Sequence, residues 1–368
     1  MIPGSSPPKR LVVKLGTGIL TSGPGQIDRD CIADVCRQVA DLRSRGIEIL
    51  VVTSGAVGLG MGILGRRQRP RTVSKLQACA AVGQSKLMQT WQDGFEPHGI
   101  IAAQVLLTHD DLRLRKRYLA VQGTLEHLIT SGVVPVINEN DAVSSEEIRV
   151  GDNDQLSAMV ASITGSSLLI ILSTAPGLID RKGSGRIIPV IENITPEIEA
   201  MAGGTTSATA VGGMVTKIEA ARLAGKAGCN LVIAHGHEKD VLLRAVLEGQ
   251  IGTVFVASSL PMESKKRWLA FFQRPQGTIH VDDGARTALV TQGRSLLASG
   301  VRGSTGDFAA RDIVNLTGPD NVIFGRGQAC FSSREIQTIM GKTTQDLRGQ
   351  FPGRTRLEVI HRNSLVVL

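Results

Sequence analysis

The sequence predicts an α/β fold, a mostly parallel sheet flanked by helices, followed by a small β-rich C-terminal domain. Three observations carry this reading. The chain has 368 residues, enough for two domains. Its first two-thirds alternates short β-branched apolar runs with segments of helical spacing, and strands separated by helices need crossover connections and hence a parallel sheet. After Gly252 the texture changes to short β-like runs broken by Gly-rich turns. The boundaries expected are 1–260 for the first domain, 261–276 for a linker and 277–368 for the second.

Taken in order, Arg10–Lys14 is a β-rich run that ends in Gly16. Asp28 suits the N-cap of a helix running to Arg45, with Ile32, Val35, Cys36, Val39 and Leu42 on one face and Gly46 as its stop. Ile47–Val52 reads as the second strand. Ile100–Leu107, Val133–Ile137, Leu168–Leu172 and Asn230–Ala234 read as further strands, with helical patterning over Thr72–Phe95 and Arg117–Thr130. Pro261–Trp268 and Gln273–Gly277 have the composition of a linker. Beyond them the β-like runs are Thr278–Val281, Asp312–Leu316, Asn321–Phe324 and Leu357–Ile360.

Composition narrows the class. The longest strongly apolar stretch, Leu168–Leu172, is far short of the roughly 20 residues that span a bilayer, so no membrane partner is expected. Met1–Arg10 lacks the apolar core of a secretory signal. Cys31, Cys36, Cys79, Cys229 and Cys330 form no C-x-x-C pair and are odd in number, which suits reduced thiols in a cytoplasmic protein. The formal charge of +8 is uneven: residues 262–368 hold 15 Lys/Arg against 9 Asp/Glu, so an RNA- or anion-facing tail is a candidate. Aromatics at 3 % leave few platforms for stacking single-stranded nucleic acid.

In parallel sheets ligands gather at the carboxyl ends of strands, and four clusters fall there. Lys14-Leu15-Gly16-Thr17-Gly18 can set an ammonium and bare backbone N–H groups against phosphate, although such a run is more often an ordinary turn and lacks the Walker A spacing. Thr53-Ser54-Gly55-Ala56-Val57-Gly58 is a second strand-to-helix turn, in which Ser54 alone would read as an N-cap. The third is the pair Asn138-Glu139-Asn140-Asp141 and Gly151-Asp152-Asn153-Asp154. It offers acceptors for an ammonium and oxygens for Mg²⁺, against the alternatives of turn chemistry and capping. An EF-hand is excluded by the missing alternation and closing Glu. The fourth, Gly212-Gly213-Met214-Val215-Thr216-Lys217, opens a helical stretch Ile218–Ala227 and suits a polyphosphate as well as it suits a solvated lysine.

Together these clusters favour phosphoryl transfer. A carboxylate acceptor would be ionised at neutral pH, with a reference value of about 4.3, and would need no general base. The remaining difficulty is an anion approaching a polyphosphate, which lysines, backbone N–H groups and Mg²⁺ can offset. No resident metal site is expected: His235-Gly236-His237 lacks a third ligand and reads as a polar loop. Arg66–Arg71 and Arg113–Arg117 read as solvated faces, the first also as a candidate mobile loop beside the site.

The order of these motifs resembles the amino acid kinase family, and within it the branch that acts on glutamate. The matching stretches are Val13–Thr17, Val52–Ala56, Gln77–Gln84, Val136–Val143, Val150–Asp154 and Gly212–Lys217. The tail resembles a PUA domain through Ile279–Ala285, Gly293–Leu297, Gly300-Val301 and Glu358–Val366. The resemblance implies an amino acid kinase-like fold with a PUA-like tail, ATP and Mg²⁺ as cofactors, and a homo-oligomer with proline feedback. The implied reaction is phosphorylation of the L-glutamate side-chain carboxylate to L-glutamyl 5-phosphate, the first step of proline biosynthesis. Lys14 and Lys217 would neutralise the transferring group with Asp154 orienting them, and Ser54, Asp141 and Asn153 would hold glutamate. ATP would lie on Lys14, Ser173, Thr174, Val211, Gly212, Gly213, Met214, Val215, Thr216 and Lys217. Two departures fall on this nucleotide side, Ser173-Thr174-Ala175 for the family's Thr-Asp-Gln and Ala210-Val211 for its Gly-Thr. The rival readings are a kinase of N-acetylglutamate or aspartate, and an RNA-binding PUA protein with a degenerate kinase domain. The complete Ile137–Val143 match opposes the first, and retention of both lysines and Asp154 opposes the second.

Overall fold

The computed structural model describes residues 7–23, 25–144, 152–181, 183–203, 213–249, 251–257, 266, 269 and 275–368. The chain divides into two compact units, Met1–Pro261 and Met262–Leu368. The expected linker 261–276 lies almost wholly outside the described residues.

The strands of the first unit are β1 (Arg10–Leu15), β2 (Thr21–Gly23), β3 (Gln26–Ile27), β4 (Glu48–Val52), β5 (Ala102–Leu107), β6 (Val134–Glu139), β7 (Leu168–Ser173), β8 (Val190–Ile191), β9 (Asn230–His235) and β10 (Thr253–Phe255). β2 and β3 form a small antiparallel ribbon, and the others form one sheet in the order β5-β6-β4-β1-β7-β9-β10-β8. The strands from β5 to β9 in that order are all parallel. β10 runs antiparallel to β9, and β8 follows β10. Every parallel strand therefore ends on the same edge.

The central strands read as unbroken apolar runs because helices cover both faces. Leu11, Val12, Val13 and Leu15 of β1 are fully buried, as are Leu169, Ile170, Ile171 and Leu172 of β7. Helix Arg29–Ser44 begins where the Asp28 carboxylate accepts the Cys31 N–H, and it buries Ile32, Val35, Cys36, Val39 and Leu42. Two further helices, Ala56–Ile63 and Val73–Phe95, touch backbone to backbone. A Cβ on Gly60 would stand 1.7 Å from the Cys79 carbonyl oxygen, and one on Gly83 would stand 1.9 Å from that of Ala56. Glycine at both places brings the second helix against the turn after β4.

The second unit contains β11 (Gly277–Val281), β12 (Val301–Thr305), β13 (Ile313–Thr317), β14 (Ile323–Gln328) and β15 (Leu365–Val367), in the order β12-β11-β13-β14-β15. Its own core gathers Ile279, Leu316, Phe331, Ile336 and Ile360. The expected strand Leu357–Ile360 is irregular chain with a single bridge between Leu296 and Ile360. Val359 and Ile360 are apolar because they fill this core, without a partner strand. The tail also holds helices Asp283–Gln292, Ser333–Ile339 and Thr344–Gln350, the last two started by capping boxes from Ser332 with Glu335 and Thr343 with Asp346.

Candidate active site

Because β6, β4, β1, β7 and β9 are neighbours in that order, their last residues form one row along the carboxyl edge. Lys14 stands opposite Val52 on one side and Ile171 on the other, and Ser173 stands opposite His235. The chain after β6 returns through the helix Asp152–Thr164, whose first turn carries Asn153 and Asp154 onto this row. The expected Gly151 lies outside the described residues.

Asp154 is the hub. Its carboxylate, 1 % exposed, lies with Oδ1 2.6 Å from Lys14 Nζ and Oδ2 3.2 Å from Lys217 Nζ. Thr216 donates its hydroxyl to the same Oδ2 at 2.8 Å. Burial pushes the Asp154 carboxyl up, but the two ammonium groups outweigh it and hold the net value below the ordinary carboxylate range. For Lys14 burial dominates and Lys217 adds repulsion, so its value falls below that of a free lysine despite Asp154. Two ammonium groups against one carboxylate leave a buried cationic spot that suits phosphate oxygens. Lys217 sits inside the helix Gly213–Lys226 rather than ahead of it, and Nζ donates back to the Gly213 carbonyl at 3.2 Å.

Toward β4 and β6 the polar groups change character. Asn153 donates Nδ2 to Ser54 Oγ at 3.0 Å and to Asn138 Oδ1 at 3.2 Å. Asn138 in turn donates to Gln84 Oε1 at 2.8 Å from the helix Val73–Phe95. Ser54 is not a helix cap: Gly55 takes that place at φ +102°, without a side-chain cap bond. Asn153 Oδ1 is buried and, among the described residues, has no hydrogen-bond partner. Asp141 lines a cavity of about 260 Å³ together with Ala56, Gln84, Glu139 and Asn140. The structure thus brings Ser54 and Asn153 into contact and puts Asp141 on the wall of this cavity. Gln84 is the residue that sequence reasoning missed as a site member, and Asn138 was read only as part of the acid–amide cluster, with no role of its own. Both stood in quoted motifs, but a polar residue within a strand or helix gives no sign of its hydrogen-bond partner.

Toward β7 and β9 the edge is mostly backbone. Gly16 donates its N–H to the Leu172 carbonyl at 3.1 Å, and an added Cβ there would lie 3.6 Å from Lys14 Nζ. Ser173 Oγ accepts the Ala175 N–H at 3.2 Å, and Thr174 is exposed. Gly213, Met214, Val215 and Thr216 form the first turn of the helix that carries Lys217, whereas Val211 and Gly212 lie outside the described residues. Bare glycine backbone, a helix start and the two lysines fit a polyphosphate. Among the described residues no group of three His, Cys, Asp or Glu could hold a metal ion.

The model of the amino acid kinase family matches residues 9–235. The chain belongs to the amino acid kinase family. A PUA domain model matches residues 277–350, so this amino acid kinase carries a C-terminal PUA domain. It is 43 % identical to the glutamate 5-kinase of Myxococcus xanthus, over 98 % of this chain and 96 % of that one. It is 41 % identical to the glutamate 5-kinase of Geobacter sulfurreducens, over 98 % of each chain. That of Dehalococcoides mccartyi strain CBDB1 is 42 % identical over the same shares. As an amino acid kinase the chain is a phosphotransferase. No helix among the described residues is long and apolar enough to cross a membrane.

Proposed function

We propose that this chain transfers the γ-phosphoryl group of ATP to the side-chain carboxylate of L-glutamate, giving L-glutamyl 5-phosphate and ADP, the first step of proline biosynthesis. The observation that carries the reading is the helix start Asn153-Asp154. One residue grips both lysines, and its neighbour points into the polar pocket of Ser54 and Asn138. On this reading donor and acceptor meet at this one helix start.

A carboxylate oxygen of glutamate forms the new bond to phosphorus as the bond to the ADP oxygen breaks. No proton has to be removed from the acceptor, so Asp154 has no base to be. It stays ionised and keeps both ammonium groups in place. Lys14 and Lys217 face the equatorial oxygens, where charge spreads during transfer. Mg²⁺ would supply charge neutralisation on the phosphates; Asp154 is occupied by the lysines and Thr216, so the ion fits as part of the nucleotide complex. On the acceptor side Asn153 Oδ1 and Asp141 suit the substrate ammonium, and the Ser54 hydroxyl, already accepting from Asn153, keeps its own proton to donate to a carboxylate.

The test is an acyl-phosphate trap. Purified protein with ATP, Mg²⁺ and hydroxylamine should form hydroxamate with L-glutamate and not with aspartate or N-acetylglutamate. Turnover with another carboxylate alone would overturn the substrate, and no turnover with any nucleotide would favour the degenerate-kinase reading. On the same reading the chain works as a homo-oligomer, measurable by sedimentation, and the basic excess of residues 262–368 suits contact with RNA.

A further inference from the structure

Beside Ser173 the edge carries a feature that phosphoryl transfer leaves unused, the turn His235-Gly236-His237. His235 ends β9 directly opposite Ser173. Gly236 then donates its N–H to the Ser173 carbonyl at 3.0 Å. A Cβ at Gly236 would come within 2.9 Å of the Ile19 side chain, so glycine lets this turn rest on the short helix Thr17–Leu20. With Gly16 bonded to Leu172, the turns after β1 and β9 are both held main chain to main chain on the end of β7. The two imidazoles flank the glycine, ring centroids 5.7 Å apart and tilted by 53°. His235 is half-buried and His237 exposed, and among the described residues neither ring has a hydrogen-bond or ion-pair partner.

In-line displacement puts the leaving nucleotide on the side of the phosphoryl group away from the acceptor. The acceptor groups stand on β4 and β6, so the nucleotide extends over β7 and β9. A purine base also needs a flat surface, and every described Phe, Trp and Tyr of the first unit is buried: Trp91, Phe95 and Tyr118 fully, Phe255 to 3 % exposure. The rings open to a ligand at the ends of β7 and β9 are imidazoles.

We propose that His235 and His237 form the stacking seat of the nucleotide base and favour a purine over a pyrimidine. The inference rests on the phosphotransferase reading for the position of the γ-phosphoryl group, and not on glutamate as acceptor. The test uses the full chain with a fluorescent N-methylanthraniloyl ATP in equilibrium titration, and hydroxamate formation with ATP, GTP and CTP. The double variant His235→Ala, His237→Ala should weaken nucleotide binding and raise the KM for ATP about tenfold, the loss expected for a stacked base. The KM for glutamate should hold within about twofold, and the advantage of ATP over CTP should narrow. His235→Phe with His237→Phe should restore most of the binding, because a phenyl ring keeps the flat face without the ring nitrogens. Unchanged nucleotide binding in the alanine variant overturns the proposal. Rescue by glutamine at both positions but not by phenylalanine also overturns it, since that pattern marks a hydrogen bond in place of a stack. Wild-type protein that binds the fluorescent nucleotide yet phosphorylates no glutamate would strike the acceptor assignment and leave the seat to be judged on the variants alone.

Discussion

Lys217 shows how much a single ammonium can be asked to do. It is 9 % exposed and shares Asp154 with Lys14, so it is no solvated helix lysine of the kind worth a few tenths of a kcal/mol. Lys217→Ala should lower kcat by at least about a hundredfold, comparable to losing one donor to a transition-state charge. Lys217→Arg should recover little, since a planar fork cannot replace a point charge between Asp154 and the Gly213 carbonyl. Circular dichroism of both variants checks that the loss is catalytic. Asp154 makes the complementary prediction about stability. Its folded value lies below the unfolded one, so the stability it contributes is present above about pH 4 and is lost as pH falls through the folded value. Asp154→Asn leaves two buried ammonium groups unpaired and should cost about 3–5 kcal/mol at pH 7. The gap in melting temperature between variant and wild type should begin to narrow below about pH 4 and close only once pH has fallen below the folded value, where the wild-type carboxyl is neutral too. Both lysines and Asp154 were legible in the sequence as residues at strand and helix ends. The contacts among them were not, because 140 residues separate Lys14 from Asp154 and only the sheet order closes that gap.

At the scale of elements, the close pair of helices after β4 controls the acceptor side. Gly83 faces the Ala56 carbonyl and the Gly60 nitrogen at 1.9 Å and 2.5 Å from its would-be Cβ, and both are backbone atoms that cannot swing away. Gly83→Ala should therefore part the helices and shift the Ser54-Gly55 turn, at a cost of about 1–3 kcal/mol in stability. The KM for glutamate should rise well beyond that for ATP, measured by the same hydroxamate assay over both substrates. The second of these helices was readable as the patterned segment Thr72–Phe95 and the first only as a strand-to-helix turn at Thr53–Gly58, but their separation was not readable. Strand ends were harder. β6 was expected to stop at Ile137, since Asn and Glu disfavour strands, yet it runs to Glu139 because Leu106 and Leu107 of β5 pair with Asn138 and Glu139. That extension is what presents Asn138 to Asn153. The two-residue β8 carries too little alternation to be seen at all.

At the scale of the whole molecule, the main core of the first unit and the core of the second share no residue among those described. Each has its own sheet, so each should unfold as its own cooperative transition. Calorimetry of the full chain should show two transitions, and the fragment 262–368 should reproduce one of them. A single transition lost on cutting the chain would mean that the units fold only together. The change of texture after Gly252 made two units readable from composition. The reversed pair β10 and β8 was not readable, because strand direction is fixed by pairing partners distant in sequence.

Lys14 stands at the middle of the row, with the groups that suit the amino acid to one flank and those that suit the nucleotide to the other. Those flanks come from different strands, β4 and β6 against β7 and β9, and from different loops. Inheritance can therefore edit one flank while the other is left as it was. The departures at Ser173-Thr174-Ala175 and Ala210-Val211 belong to the nucleotide side only, while the Ser54, Asn138 and Asp141 flank keeps its full pattern. A lineage could drift in its phosphate currency without losing its substrate, and a protein engineer could randomise Ser54, Gln84, Asn138 and Asp141 to seek a new acid without rebuilding the donor side.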